Sequence, residues 1–310
     1  MYTGALENHP KLIEKLSVSR PLWGNSAEIV RAVRNPWKVA DVLAASGIPS
    51  PIVHRPGEVL PSGKRWLQKP LASGGGSGIR WTDDQNRDSA GCFIQEYIDG
   101  ISVAAIFVAK DRITEFLGAT QQLVGESWLH AKTFAYCGSI GPLPFDATLT
   151  QQFVRIGQSV GMGLGLRGLF GIDAVVRDGT VFPVEVNPRY TASVEVLEFA
   201  TGISAMAKHR AVFEATETVV QPSKPYDLVA KAIYFAPKPI CFRGGRWPEQ
   251  LLQKLPVNIL PRYADIPQVE SIIEGGTPVM TYLCRAQSIA DGLEQLHRVA
   301  ADLDHRLCDL

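Results

Sequence analysis

The sequence predicts an α+β fold, and three observations carry that prediction. Residues 169–195, LFGIDAVVRDGTVFPVEVNPRYTASVE, hold two runs rich in β-branched residues on either side of Asp178-Gly179, which is a hairpin signature. Residues 93–119 hold further strand-like apolar runs, one ending at Asp99-Gly100. Apolar residues recur at helical spacing in 27–33, 149–164 and 290–307.

In order, the chain opens with a polar stretch. A short helix over Ala27–Val33 follows, with Asn25-Ser26 as its cap. Asn35-Pro36 starts a second helix through Ala45. It stops at Gly47, because Ile48-Pro49-Ser50-Pro51 cannot stay helical. Lys38 lies in the first turn, where the helix dipole disfavours a cation; on its own it reads as a solvated lysine.

Arg65–Lys69 reads as a strand. It runs into Pro70-Leu71-Ala72-Ser73-Gly74-Gly75-Gly76-Ser77-Gly78 and then a strand over Ile79–Trp81. So many glycines let backbone N–H groups approach phosphate oxygens with no Cβ in the way. The loop lacks the GxxxxGK[ST] pattern and does not open a helix, which excludes a Walker loop and a dinucleotide fingerprint. With Lys69 just before it, a phosphate-covering hairpin is the better reading than a plain linker.

Strands are expected over Phe93–Ile98, Ser102–Val108 and Ile113–Ala119. Residues 120–144 read as loops and short strands, with His130, Lys132 and Tyr136 as solvated loop residues rather than substrate contacts. A helix is expected over Leu149–Leu164, stopped by the glycines at 161, 163, 165 and 168. Helices over Ala192–Thr201 and from Ser204 follow the central hairpin, then a connector over 215–228. Ala230–Phe235 and Pro278–Leu283 read as strands with a turn-rich stretch between, and Ala290–Leu307 as an amphipathic closing helix.

Composition excludes several classes. Apolar content is 45%, charged content 20% and formal net charge +0, as in a soluble globular protein with no basic field for nucleic acid. The five cysteines lack CxxC spacing, so neither zinc nor a disulfide framework is indicated, and a reducing cytoplasm fits. No signal peptide is expected at the start, and no window is long and apolar enough for a membrane span.

The central hairpin carries the chemistry. Side chains alternate along a strand, so Glu185 and Asn187 share a face while Val184 and Val186 point the other way. A carboxylate beside an amide offers hard oxygen ligands of the kind Mg²⁺ prefers. Arg189 adds a fixed charge suited to phosphate oxygens. Asp173 joins them only if the turn is right. A three-residue loop, Arg177-Asp178-Gly179, puts it on their face, and a two-residue Asp178-Gly179 loop puts it on the other. We expect the three-residue loop, because that register gathers all three ligands.

Taken together, these stretches resemble the ATP-grasp superfamily. GNSAEIVRAVRNPWKVADVLAASGIPSP resembles its leading helix pair, with Lys38 at the first nucleotide lysine. WLQKPLASGGGSGI resembles its strand, lysine and flap. FIQEYIDG resembles its hinge strand, and GIDAVVRDGTVFPVEVNPR its metal-binding strands. The resemblance covers roughly residues 24–200. It extends to a carboligase group related to biotin carboxylase that includes the tyramine–glutamate ligase of methanofuran synthesis, on YTGALENHP, KPLASGGGSGI, QLVGE, VEVNPRY and KAIYFA.

The resemblance implies an ATP-grasp fold of two α+β subdomains gripping ATP, its N-terminal Rossmann-like domain reduced or missing. The implied divisions are a lead-in over 1–35, a small subdomain over 36–100 and a large one over 101–310. It implies ATP and Mg²⁺, with Mn²⁺ as a substitute, and small-molecule carboxylate and amine substrates in a chain compatible with a homo-oligomer. Lys38, Lys69, Ser73, Gly74, Gly75, Gly76, Ser77 and Gly78 would hold phosphates, and Gln95, Glu96, Tyr97 and Ile98 would hold adenine. Asp173, Glu185 and Asn187 would bind metal, Glu185 and Arg189 would be catalytic, and Tyr190, Thr191 and Ser193 would face substrate. The implied reaction is amide formation through an acyl phosphate. A biotin- or bicarbonate-type carboxylase and a non-catalytic nucleotide-binding protein are the rival readings. The chain departs from many relatives in having Ser102 where they place a ribose-binding Glu, so Asp99 is the expected substitute.

Overall fold

The computed structural model describes residues 4–82, 90–214, 228–243 and 259–308. A short 3-10 helix, Gly4–Asn8, leads into α1 (Pro10–Ser19). The polar reading of the opening missed α1, which has only Ile13 fully buried. Pro10 sits in its first turn, where the missing N–H costs nothing. Ser26 caps α2 (Ala27–Val33) by accepting from Ile29 N. Asn35 caps α3 (Pro36–Ala45) by accepting from the N–H groups of Trp37 and Lys38.

The chain divides into two units. The first comprises Met1–Ala119, Pro144–Val194 and Ser204–Val220. In it β1 (Val53–His54), β2 (Trp66–Pro70), β3 (Arg80–Trp81) and β4 (Cys92–Glu96) form a sheet in the order β1-β4-β2-β3. A second set of strands in this unit comprises β5 (Ile101–Lys110), the first half of β6 (Ile113–Val124), β8 (Gly168–Arg177) and β9 (Thr180–Asn187). Their order is β6-β5-β8-β9, with β5 and β8 antiparallel from Ile101↔Val176 to Ala109↔Gly168. Residues 103–109 of β5 are buried throughout, as an unbroken apolar run requires.

Helix α4 (Ala147–Leu164) ends at Gly165, whose φ of 69° is the left-handed cap. The glycines at 161 and 163, expected to stop it, lie inside it. At Gly163 a Cβ would come within 2.6 Å of Val42 on α3, so the residue serves close helix packing instead.

The second unit comprises Thr120–Leu143, Glu195–Ile203 and Gln221–Leu310. It holds the second half of β6, β7 (Tyr136–Gly141), β10 (Leu228–Phe235), β12 (Tyr263–Ala264) and β14 (Pro278–Ala286) in the order β12-β14-β10-β7-β6. Two short strands, β11 (Ile240–Cys241) and β13 (Ile272–Ile273), pair separately. Helix α7 (Ile289–Cys308) buries Leu296, Ala300, Leu303 and Leu307 in a core with Tyr234, Met280 and Tyr282. Tyr282 OH donates to Leu296 O at 2.9 Å and Tyr234 OH to Asp304 at 2.6 Å, so both buried phenols are satisfied. His130 shares that Asp304 oxygen at 2.7 Å, which makes it a structural residue rather than a solvated one. The remaining helices are α5 (Val194–Thr201) and α6 (Ala205–Phe213). The connector expected over 215–228 lies outside the described residues except for Leu228. No described helix is long and apolar enough to cross a membrane.

Candidate active site

The central hairpin differs from the expected one in its loop. Asp178 and Gly179 alone form the turn, with φ of 50° and 72°. Paired positive φ values are what a two-residue type I′ loop demands. Strand pairing from Arg177↔Thr180 to Ala174↔Pro183 follows from that turn. Continued unbroken, it would set Asp173 opposite Val184 and turn its carboxylate away from Glu185. A β-bulge intervenes: Asp173 pairs with Glu185, Ile172 with Val186 and Gly171 with Asn187, leaving Val184 as the inserted residue. The three-residue loop is therefore corrected to a two-residue loop plus a bulge. The shared face of Asp173, Glu185 and Asn187 stands for a different reason. Asn187 Nδ2 donates to Asp173 Oδ2 at 3.0 Å.

The bulge also anchors a lysine. Gln95 on β4 donates from Nε2 to the Val184 carbonyl at 3.1 Å, and its Oε1 accepts from Lys69 Nζ at 3.1 Å. Lys69 is buried at the end of β2, where the flap begins. Gly75, Gly76 and Gly78 in the flap have positive φ, and Ser77 N donates to Gly74 O at 3.2 Å, curling the loop back on itself.

The cation nearest Glu185 is one the sequence reading passed over. Arg34, the C-cap of α2, donates from Nη1 to Glu185 Oε1 at 2.6 Å. Its Nη2 reaches the carbonyls of Leu71 and Ser73 in the flap, each at 3.1 Å. An arginine at a helix C-terminus reads as a dipole partner, so nothing local marked it as part of a site. Lys38 is exposed in the first turn of α3 and is not among the residues that line the cavity described next.

A cavity of about 60 Å³ lies among α3, the flap, β2, β4 and β9. Its polar wall includes Arg34, Lys69, Ser73, Gln95 and Glu185, and its apolar wall includes Val39 and Leu43. The hinge residues other than Gln95 do not line it. Glu96 accepts from Lys64 and from Ile52 N, the Tyr97 ring lies against Trp81 with Arg65 over it, and Ile98 is buried.

Burial and a neighbouring charge perturb one of the hairpin acids. The Asp173 carboxyl is pushed up to about 7, by burial first and by the Glu185 charge second, while Asn187, Arg189 and Lys69 pull the other way. Two carboxylates and a side-chain amide on one face are oxygen donors of the kind that suit a hard divalent cation such as Mg²⁺.

Arg189 lies just past β9. Its Nη2 pairs with Glu7 Oε1 at 2.8 Å and its Nη1 donates to Tyr190 O at 3.2 Å. Glu7, from the leading 3-10 helix, is 1% exposed, and burial raises its carboxyl against the pull of Arg189. Sequence reasoning missed this partner, because nothing local links residue 7 to residue 189. Beyond Arg189, Thr191 and Ser193 are buried and Tyr190 is partly so.

Comparison with known proteins agrees with this architecture. A family model described as ATP-grasp domain matches residues 33–193. An uncharacterised protein of Methanocaldococcus jannaschii is 24% identical over 91% of this chain and 68% of its own length. An L-amino acid ligase from Bacillus licheniformis has a similar structure, with a TM-score of 0.74 at 16% identity over 97% of this chain and 78% of that one. A biotin carboxylase–ATP analogue complex from Campylobacter jejuni gives a TM-score of 0.73 at 13% identity over 97% and 73%.

Proposed function

Because this chain belongs to the ATP-grasp family, we propose that it is an ATP-dependent ligase joining a carboxylate to an amine through an acyl phosphate. The observation that carries the proposal is the convergence on one cavity of Lys69, Arg34, a glycine flap and Glu185, with Asp173 and Asn187 on the face of Glu185.

The residues divide the work as follows. Asp173, Glu185 and Asn187 would hold Mg²⁺, which would supply positive charge to offset that on the transferring phosphoryl group. Lys69, fixed by Gln95, supplies a cation to the phosphates. Flap backbone amides from Gly74 to Gly78 close over the γ-phosphate and exclude water that would hydrolyse a reactive intermediate. A substrate carboxylate oxygen attacks the γ-phosphorus and the bond to ADP breaks. An amine then attacks the acyl carbon, the C–N bond forms, and phosphate leaves with the electron pair of the broken C–O bond and takes up the proton that the amine loses. Arg189 stabilises the transferring phosphoryl group or the tetrahedral oxyanion, and Tyr190, Thr191 and Ser193 face substrate. No nucleophilic side chain is required.

The cavity in this form is far smaller than the few hundred Å³ usual for a small-molecule site. In this reading the flap lifts for nucleotide entry, and Arg34, which holds both the flap carbonyls and Glu185, is the contact that it must loosen. The test is ADP release with mass spectrometry of products, over amino acids, amines and pterin or furan intermediates. Those last belong to the methanofuran- or pterin-type role that the carboligase resemblance suggests. ADP release that needs bicarbonate and no amine would favour a carboxylase, and nucleotide binding without turnover would overturn the ligase.

A further inference from the structure

The pairing of Glu7 with Arg189 leaves polar atoms that no described residue satisfies. Glu7 Oε2 is buried without a hydrogen-bond partner. The next residue, Asn8, donates from Nδ2 to Ser73 O at 3.4 Å, and its Oδ1 is buried and unpartnered. Arg189 Nε is buried and unpartnered too, as is Thr191 Oγ1. A buried carboxylate oxygen with no donor is costly, and native proteins rarely leave such a group without water or ligand.

The chemistry of these atoms is selective. Glu7 Oε2 and Asn8 Oδ1 are acceptors on consecutive residues, and together they ask for a group with several N–H donors and a positive charge. Arg189 Nε is a donor left over on a guanidinium, and it asks for an anionic oxygen. Glu7 and Asn8 also line a hollow of about 270 Å³ with Arg34, Trp37 and Leu71. Arginine–carboxylate pairs are frequently bidentate, and here only one carboxylate oxygen is used.

We infer that Glu7 and Asn8 form the ammonium subsite for an α-amino acid substrate whose carboxylate turns toward Arg189. This rests on the ligase reading above and names the class of its acid. The burial that raises the Glu7 carboxyl is offset once an ammonium sits beside it. Because Asn8 also holds the flap carbonyl of Ser73, the subsite touches the loop that closes over nucleotide.

The test is thermal stabilisation of the full chain with Mg²⁺ and a non-hydrolysable ATP analogue, titrated with each proteinogenic L-amino acid and with its N-acetyl derivative. At least one amino acid is expected to raise the melting temperature beyond the nucleotide alone, and its N-acetyl form is expected not to. Glu7→Gln should weaken that amino acid at least tenfold while the nucleotide-dependent shift persists. Asn8→Leu leaves the Glu7–Arg189 pair in place, so it gives the same readout if Glu7→Gln does not fold. No amino acid binding, equal binding of the N-acetyl form, or parental amino acid affinity in the folded variants would overturn the subsite. Loss of the nucleotide shift in the parent would instead strike the ATP reading itself.

Discussion

Arg34 Nη1 lies 2.6 Å from Glu185 Oε1, and the same guanidinium holds the carbonyls of Leu71 and Ser73. One side chain thus ties the C-terminus of α2, the flap and a carboxylate of the proposed cation site. Arg34→Met should loosen the flap in the nucleotide-free protein. Hydrogen bonds to charged groups are worth about 1.5–3 kcal/mol, and the low end applies because Glu185 is a third exposed. That corresponds to roughly tenfold faster hydrogen exchange at the amides of residues 71–78. Unchanged exchange there would mean that the flap is held by other contacts.

Lys69 gives a second prediction. Its ammonium is buried against Gln95 at the mouth of the flap. Lys69→Ala should abolish the thermal stabilisation that ATP and Mg²⁺ give by mass action, about 2.7 kcal/mol at a ligand concentration a hundred times Kd. Parental ATP affinity in this variant would remove the phosphate role.

Much of this arrangement was legible in the sequence, for local reasons. The caps at Ser26 and Asn35, the glycine-rich loop and the presence of a hairpin at Asp178-Gly179, though not its loop length, each follow from a few adjacent residues. The face shared by Glu185 and Asn187 follows from strand alternation alone. What was not legible depends on contacts between distant segments. The Val184 bulge is fixed by strand pairing, with Gln95 taking the Val184 carbonyl, and no turn rule shows that. Arg34 meets Glu185 across 151 positions, and Glu7 meets Arg189 only once the chain has folded.

Asp173 makes the site sensitive to pH. Its carboxyl titrates near 7 when folded and at about 3.9 in an unfolded chain. The folded protein therefore holds this proton more tightly, and the stability it confers is complete below the unfolded value. That contribution is lost as pH rises through about 7 in the metal-free protein. Mg²⁺ requires the ionised form, so its affinity should rise over the same interval. Asp173→Asn should flatten both dependences. The measurements are chemical denaturation and Mg²⁺ titration between pH 5 and pH 8, and a parent whose metal affinity does not change with pH would argue against Asp173 as a ligand.

Glu185→Gln separates the chemistry from the fold. The substitution keeps the shape of the side chain and an oxygen that can accept from Arg34, so the hairpin and the flap contact should persist. It removes one negative ligand from a face where Asp173 already bears the cost of a neighbouring charge. ATP affinity should change little, since Mg²⁺ is commonly held by few protein groups plus phosphate. Turnover should fall by two or more decades, or about 3 kcal/mol, as when a preorganised electrostatic group is lost. Ile172→Ala is the control, because Ile172 is fully buried on the opposite face of β8 from Asp173. It should cost about 2–5 kcal/mol of stability through lost packing, with the per-molecule rate of the folded protein retained. If Glu185→Gln turns over like the parent while Asp173→Asn does not, the cation rests on Asp173 and Asn187, and Glu185 is the anchor of Arg34 alone.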